Sequence, residues 1–210
     1  MLRKETGYPS LRTVKPLHTN ARHRADRRYG GEPVFVFLRA LNLAHNRFSL
    51  VHFIECQMDK IIEKMPGARL HVIGRGGSSE LNRLAEKYEG SIVVEGFVED
   101  LDAVFRESCA MVIPLLFGSG VKIKTLEALS RGLPGISTDF GVEGIPVTNA
   151  FNCVIENDID RYPQLMLDLT DLDYNGAISR KAREFYFKHY SRERLFEEYE
   201  LLFEENTAAH

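Results

Sequence analysis

Between residues 34 and 157, short apolar runs of strand length alternate with amphipathic stretches, and this alternation constrains the fold more than any other feature. VFVFLRA (34–40), ARLHVIG (68–74), SIVVEGFV (91–98), CAMVIPL (109–115), LPGIST (133–138) and FNCVIEN (151–157) read as strands. Between the first two lies FSLVHFIECQMDKIIEKM (48–65), with Leu50, Phe53, Ile54, Met58, Ile61, Ile62 and Met65 at helix spacing. SSELNRLAEKY (78–88) and DLDAVFRES (100–108) read as shorter helices, the second capped by Asp100. A further helix is expected from about Gly120 to Arg131, ended by Gly132 with Pro134 just beyond. Strands and helices in strict alternation imply βαβ units, so the expected class is α/β: a Rossmann-like doubly wound parallel sheet with helices on both faces. From Asp160 onward the chain reads as helical, in the segments YPQLMLDLTDL, NGAISRKAREFYFKHY and SRERLFEEYELLFEE. The expected organisation is a basic arm or linker over 1–31, a core over 32–158, and carboxyl-terminal helices packing on it over 159–210.

A sheet of this kind binds ligands beyond the carboxyl ends of its strands. There the run IPLL passes through Phe117 into Gly118-Ser119-Gly120-Val121, followed by the expected helix. Free N–H groups and the positive end of a helix at that edge form an anion site, and the two glycines let a diphosphate approach the backbone. Lys122 and Lys124 add positive charge where the helix dipole disfavours it, an arrangement that makes sense when an anion is bound. Glu127 follows Gly120 by seven residues, two turns on the same face or about 10 Å, a distance at which its carboxylate can accept ribose hydroxyls. The plain alternative is a tight glycine turn, wet lysines and a surface glutamate. Strand end, glycines, lysines, glutamate and the Gly-Leu-Pro stop coincide within the 19 residues 117–135, which favours the binding reading.

The run PLLFGSGVKIKTLEALSRGLP, followed by GVEGI, resembles the donor-binding domain of family-four glycosyltransferases (glycosyl transferases group 1), the C-terminal half of a GT-B fold. The resemblance extends over roughly residues 33 to 203 and takes in RLHVIGRG, VEGFVEDLDAVFRESCAMVIPLLFGSG and FKHYSRERLFEEYELLF. It implies that Glu127 holds the ribose, that backbone amides at the helix start hold the diphosphate, and that Gly96, Phe97 and Val98 lie near the base. Many members carry a second glutamate eight residues before the ribose one, and Ser119 stands there instead, as in a branch with the same Gly-Ser-Gly-Val-Lys run. An Arg and a Lys after the first strand neutralise the diphosphate in the family. Arg39 resembles the first, although Leu38 replaces the usual preceding glycine, and Arg47 takes the place of the second. The loop holding Glu143 corresponds to donor-proximal residues.

The implied reaction is glycosyl transfer from a UDP- or GDP-sugar, retaining and independent of metal. Arg39 and Lys122 serve as the catalytic cations that meet charge on the leaving diphosphate. No cofactor beyond the donor is implied. The acceptor, a glycan or lipid-linked sugar, belongs on a separate amino-terminal domain or subunit, and the setting is polysaccharide biosynthesis. Two other classes of function compete: a nucleotide-binding regulatory module without catalysis, and an interaction protein acting through its basic tail.

That tail, residues 1–30, holds eight Lys/Arg against two acids, whereas the remainder holds 19 against 28. Peripheral contact with the inner face of a membrane is the partner this charge suggests, with no nucleic acid expected. The amino terminus lacks a signal-like apolar stretch and no apolar run reaches roughly 18 residues, so the expected location is cytoplasmic. Cys56, Cys109 and Cys153 lie among apolar neighbours and read as buried thiols. His45 reads as a bystander, the GRGG segment at 74–77 as a turn, and Tyr186, Phe187, Tyr190, Phe196 and Tyr199 as an aromatic stripe packed on the sheet. Neither a Ser/His/Asp set nor zinc-ligand spacing is visible.

Overall fold

The computed structural model describes residues 15–16, 29–38 and 40–207, with side chains through Leu201. Arg39 and nearly all of the basic arm lie outside the described residues. Among those described, six strands form one parallel sheet in the order β3-β2-β1-β4-β5-β6. They are β1 (Val34–Leu38), β2 (Arg69–Ile73), β3 (Ile92–Gly96), β4 (Ala110–Ile113), β5 (Gly135–Ser137) and β6 (Val154–Ile155). The helices between and after them are α1 (Ala44–Lys64), α2 (Ser79–Lys87), α3 (Leu101–Glu107), α4 (Ile123–Ser130), α5 (Tyr162–Asp168), α6 (Leu172–Tyr190) and α7 (Arg192–Thr207). This is the expected Rossmann-like α/β fold with a helical carboxyl terminus.

Strand β1 shows why the sheet is covered on both sides. Phe35 and Phe37 join Leu50, Phe53 and Ile54 of α1 and Met166 of α5 in one core, whereas Val36 and Leu38 join Phe105 of α3 and Ala128 of α4 in another. Successive side chains of a strand point to opposite faces, so an unbroken apolar run requires helices on each.

Local chemistry sets the boundaries. Strand β4 ends at Ile113 because Pro114 has no N–H for the ladder. Asp100 caps α3 by accepting from the N–H groups of Asp102 and Ala103 at 3.0 and 3.2 Å. Ser191 Oγ accepts from Arg194 N–H at 3.2 Å at the start of α7. Beyond α4, Gly132 takes φ 67°, its N–H donating to Leu129 and that of Leu133 to Ala128, each at 3.0 Å. That pair of bonds is a Schellman stop. A Cβ on Gly132 would lie 3.0 Å from Ser179 of α6, so the stop also allows α4 and α6 to approach closely. The run 151–157 is a strand over only two residues, because the N–H groups of Phe151 and Asn152 turn back to Thr148 at 3.2 Å.

Three expectations need correction. Helix α4 begins at Ile123 rather than near Gly120, since Gly118 and Gly120 take φ 130° and 82° and cannot continue a helix. Cys56 is exposed on α1, unlike the buried Cys109 and Cys153, whose thiol at 153 burial pushes up to about 12. The aromatic stripe does not pack on the sheet as a unit: Tyr186 and Tyr190 pack with Leu126 and Leu129 of α4, while Phe196 is exposed.

Candidate functional site

In the strand order β1 lies next to β4, where the chain's progression across the sheet reverses. The carboxyl ends of these two strands mark the switch point, the position at which doubly wound sheets take ligands. The β4 loop there is held firmly. Ser49 Oγ of α1 accepts from Leu116 N–H at 3.1 Å, and Thr138 Oγ1, just past β5, donates to the Leu115 carbonyl at 2.5 Å. From the β1 side, Asn46 Nδ2 donates to the Ala40 carbonyl at 2.9 Å and fixes the turn into α1.

On this platform runs Phe117-Gly118-Ser119-Gly120-Val121-Lys122. Among the described residues, the backbone N–H groups from Gly118 to Lys124 donate to no protein acceptor; the first helical bond is that of Thr125 N–H to the Lys122 carbonyl at 2.9 Å. A Cβ on Gly118 would stand 3.3 Å from the His45 ring, so the loop passes tightly against the start of α1. Thr125 Oγ1 donates to the Gly141 carbonyl at 2.8 Å, tying the start of α4 to the loop after β5. That loop brings Glu143 to within 3.5 Å of the Lys122 ammonium, whose side chain is only 8% exposed. The arrangement sets a nearly buried cation, whose carboxylate partner stands 3.5 Å away, next to these N–H groups, a combination to which a second anion could bind.

Glu127 lies in the second turn of α4 and is 2% exposed. Because α4 starts at Ile123, the glutamate is four residues or about 6 Å into the helix, closer to its start than the two turns expected from Gly120. Lys124 Nζ meets its Oε2 at 2.8 Å and Arg131 Nη1 lies 3.7 Å from Oε1. Behind the helix, burial pushes the Tyr186 phenol up to about 12 against the opposing charge of Arg131.

The structure thus groups Gly118, Ser119, Gly120, Val121, Lys122, Lys124, Glu127 and Glu143 around one loop and helix start. Gly96 ends β3 and Phe97 and Val98 follow it, two strand spacings or roughly 10 Å from β1 along the same sheet edge. Phe97 there is 64% exposed, with the Arg75 guanidinium 4.8 Å from its ring centre. Arg47 is turned elsewhere, donating to the Leu41 carbonyl at 3.4 Å and lining a groove along α1 with Phe48, His52 and Glu80. His45, set aside as a bystander, touches the glycine loop; nothing in its spacing announced this, because Gly118 is distant in sequence. Arg131 stands four residues after Glu127 and was readable as a helix neighbour. Among the described residues, no group of three or more His, Cys, Asp or Glu side chains is arranged to hold a metal ion, and no helix is long and apolar enough to cross a membrane.

Comparison with known proteins gives three kinds of likeness. The family profile of the glycosyl transferases group 1 matches residues 32–171. An uncharacterized 44.6 kDa protein in the cps region of Klebsiella pneumoniae is 25% identical over 178 residues, 81% of this chain and 45% of that protein. Among solved structures, a mutant of S. aureus TarM in complex with Fondaparinux, alpha-GlcNAc-glycerol and UDP superposes with TM-score 0.78 at 18% identity, covering 95% of this chain and 41% of that chain. HepE of Anabaena in complex with UDP and glucose superposes with TM-score 0.68 at 11% identity, covering 83% of this chain and 48% of HepE. The chain spans less than half the length of each of these relatives.

Proposed function

The chain belongs to the glycosyl transferases group 1, with their Rossmann-like GT-B fold, and on that premise we propose that it is the donor-binding half of a glycosyltransferase using a nucleotide diphospho-sugar. The carrying observation is the nearly buried Lys122 beside a loop of free N–H groups, with a buried glutamate one turn further on. In this reading the diphosphate lies on the amides of Gly118 to Lys124 and on Lys122, the ribose hydroxyls reach Glu127, and the base lies toward Gly96, Phe97 and Val98. Arg39 is the further cation of the donor side, Arg47 would have to turn from its groove along α1 to join it, and Glu143 is the group that diphosphate displaces from Lys122.

Transfer breaks the bond between the anomeric carbon and the diphosphate oxygen and joins that carbon to an acceptor hydroxyl, whose proton passes to the departing diphosphate or to solvent. Negative charge grows on the leaving diphosphate, so fixed cations and N–H dipoles lower the barrier by meeting charge where it develops. A retaining, metal-independent course follows the family resemblance. The acceptor, a glycan or lipid-linked sugar, is placed on a second domain or subunit. UDP is the first nucleotide to try, because TarM and HepE were both solved with it.

Calorimetry with UDP, GDP, ADP and their sugars on the folded protein tests the proposal. One of the three series should bind, and Glu127→Ala should weaken it by about tenfold or more, the worth of a charge-assisted hydrogen bond. No binding of any of them at millimolar concentration would sink it. Binding without sugar release or transfer, in the presence of the acceptor-bearing partner, would favour a regulatory module instead.

A further inference from the structure

Glu127 meets two cations of different character. Lys124 reaches its Oε2 from one turn before, with a side chain 42% exposed. Arg131 comes from one turn after and is itself held: its Nε donates to Asp102 Oδ1 of α3 at 2.5 Å, and its guanidinium lies 5.5 Å from the ring centre of Phe105. The same arginine donates from Nη1 to the Glu127 backbone carbonyl at 3.3 Å. Both members of the Arg131–Asp102 pair are largely buried.

We propose that Arg131, anchored by Asp102, is a positioning residue that keeps the Glu127 carboxylate aimed at the sugar hydroxyls of a bound nucleoside diphosphate, while Lys124 is the exchangeable partner that gives way to those hydroxyls. This rests on the reading of Glu127 as the ribose acceptor. A buried carboxylate is held in place by the counter-charge that compensates its burial. Arginine suits that task because its planar fork can donate to one carboxylate while its charge faces a second, and it does not deprotonate. At 3.7 Å the contact to Oε1 is an ion pair too long for a hydrogen bond, so that oxygen keeps its accepting capacity for a ligand. Oε2, in contrast, is occupied at 2.8 Å, but by a half-exposed lysine whose charge solvent or a diphosphate can accommodate when it swings away. One side of Glu127 is thereby fixed and the other is open to exchange.

The test measures ribose preference rather than affinity alone. Whichever of UDP, GDP and ADP binds the wild-type chain is compared with its 2′,3′-dideoxy form. Wild type should prefer the natural nucleotide by about tenfold, as expected for hydrogen bonds to a charged acceptor. Arg131→Met and Asp102→Asn should each bring that ratio close to one while diphosphate binding persists, Arg131→Lys should restore part of it, and Lys124→Ala should leave it intact or larger. A general loss of packing would weaken both nucleotides equally and leave the ratio unchanged. Thermal unfolding identifies any variant that is not folded, and Asp102→Asn, which changes a single atom, keeps the test decisive if Arg131→Met is not. A wild-type preference retained in both folded variants overturns the role of Arg131 alone; no wild-type binding of any of the three overturns the ribose reading and this inference with it.

Discussion

Lys122 and Glu143 face each other at 3.5 Å, the lysine side chain 8% exposed and the glutamate 48%. The asymmetry makes the carboxylate the partner that can leave. Glu143→Gln should lower the ligand-free unfolding temperature, because it strands a nearly buried cation, and should tighten nucleoside diphosphate binding about two- to fivefold by removing a competitor. Lys122→Met should weaken the same binding by about tenfold or more and flatten its salt dependence. Calorimetry at two ionic strengths checks both; unchanged affinity in Lys122→Met would remove the lysine from the site.

Gly118 offers a prediction about shape. Its φ of 130° is poorly tolerated by residues with a Cβ, and an added methyl would stand 3.3 Å from His45. Gly118→Ala should therefore destabilise the chain by about 1–3 kcal/mol. Adding His45→Ala should recover only the part due to crowding, since the backbone strain stays. Urea unfolding of both variants separates the two terms, and full recovery in the double variant would show that crowding alone was at work.

How much of this was readable in advance depended on the range of the interaction concerned. Strand identity in β1, β2 and β4, the Asp100 cap and the Gly132 stop follow from short-range rules, and all appear in the structure. The start of α4 was misplaced by about one turn because glycines before a helix read equally well as its first residues or as a loop; only their positive φ decides. Glu127, Lys122 and Lys124 were legible as a cluster since they share one segment. Glu143 opposite Lys122, Asp102 opposite Arg131 and His45 against Gly118 come from other βα loops or helices, and only the strand order brings them near. Cys56 was misjudged because its apolar neighbours on α1 face the core while it faces solvent.

The seat of α4 on α6 is a stability element with a functional consequence. Leu126 is fully buried against Ala182, Tyr186 and Tyr190, in the same helix that carries Glu127. Leu126→Ala should cost about 2–5 kcal/mol, as large-to-small core changes do. Because the helix would settle differently, nucleotide affinity should fall as well, even at temperatures where the variant is fully folded. Urea denaturation together with calorimetry on the folded variant measures each part. A stability loss with unaltered affinity would mean that the loop before α4, rather than the helix, sets the site.

His189 gives a pH dependence of definite sign. It lies in the last turn of α6, where a helix end ordinarily favours the charged ring. Burial nevertheless holds its pKa below the usual 6.5, helped by the nearby charges of Lys15, Lys188 and Arg194 and opposed by Glu198. With the folded value below the unfolded one, the unfolded chain binds more protons in the interval between them, so stability falls as pH drops from about 6.5 toward the folded value and changes no further below it. His189→Gln removes this one contribution while the carboxylates titrate as before. The difference in unfolding free energy between wild type and variant should therefore be constant above neutral pH and shift in the variant's favour as the pH falls below about 6.5. Lys188→Gln should reduce that shift by removing one of the repelling charges, which ties the effect to the cations around the ring rather than to burial alone. Parallel stability curves for wild type and His189→Gln across this range would show that the imidazole has the same proton affinity folded and unfolded.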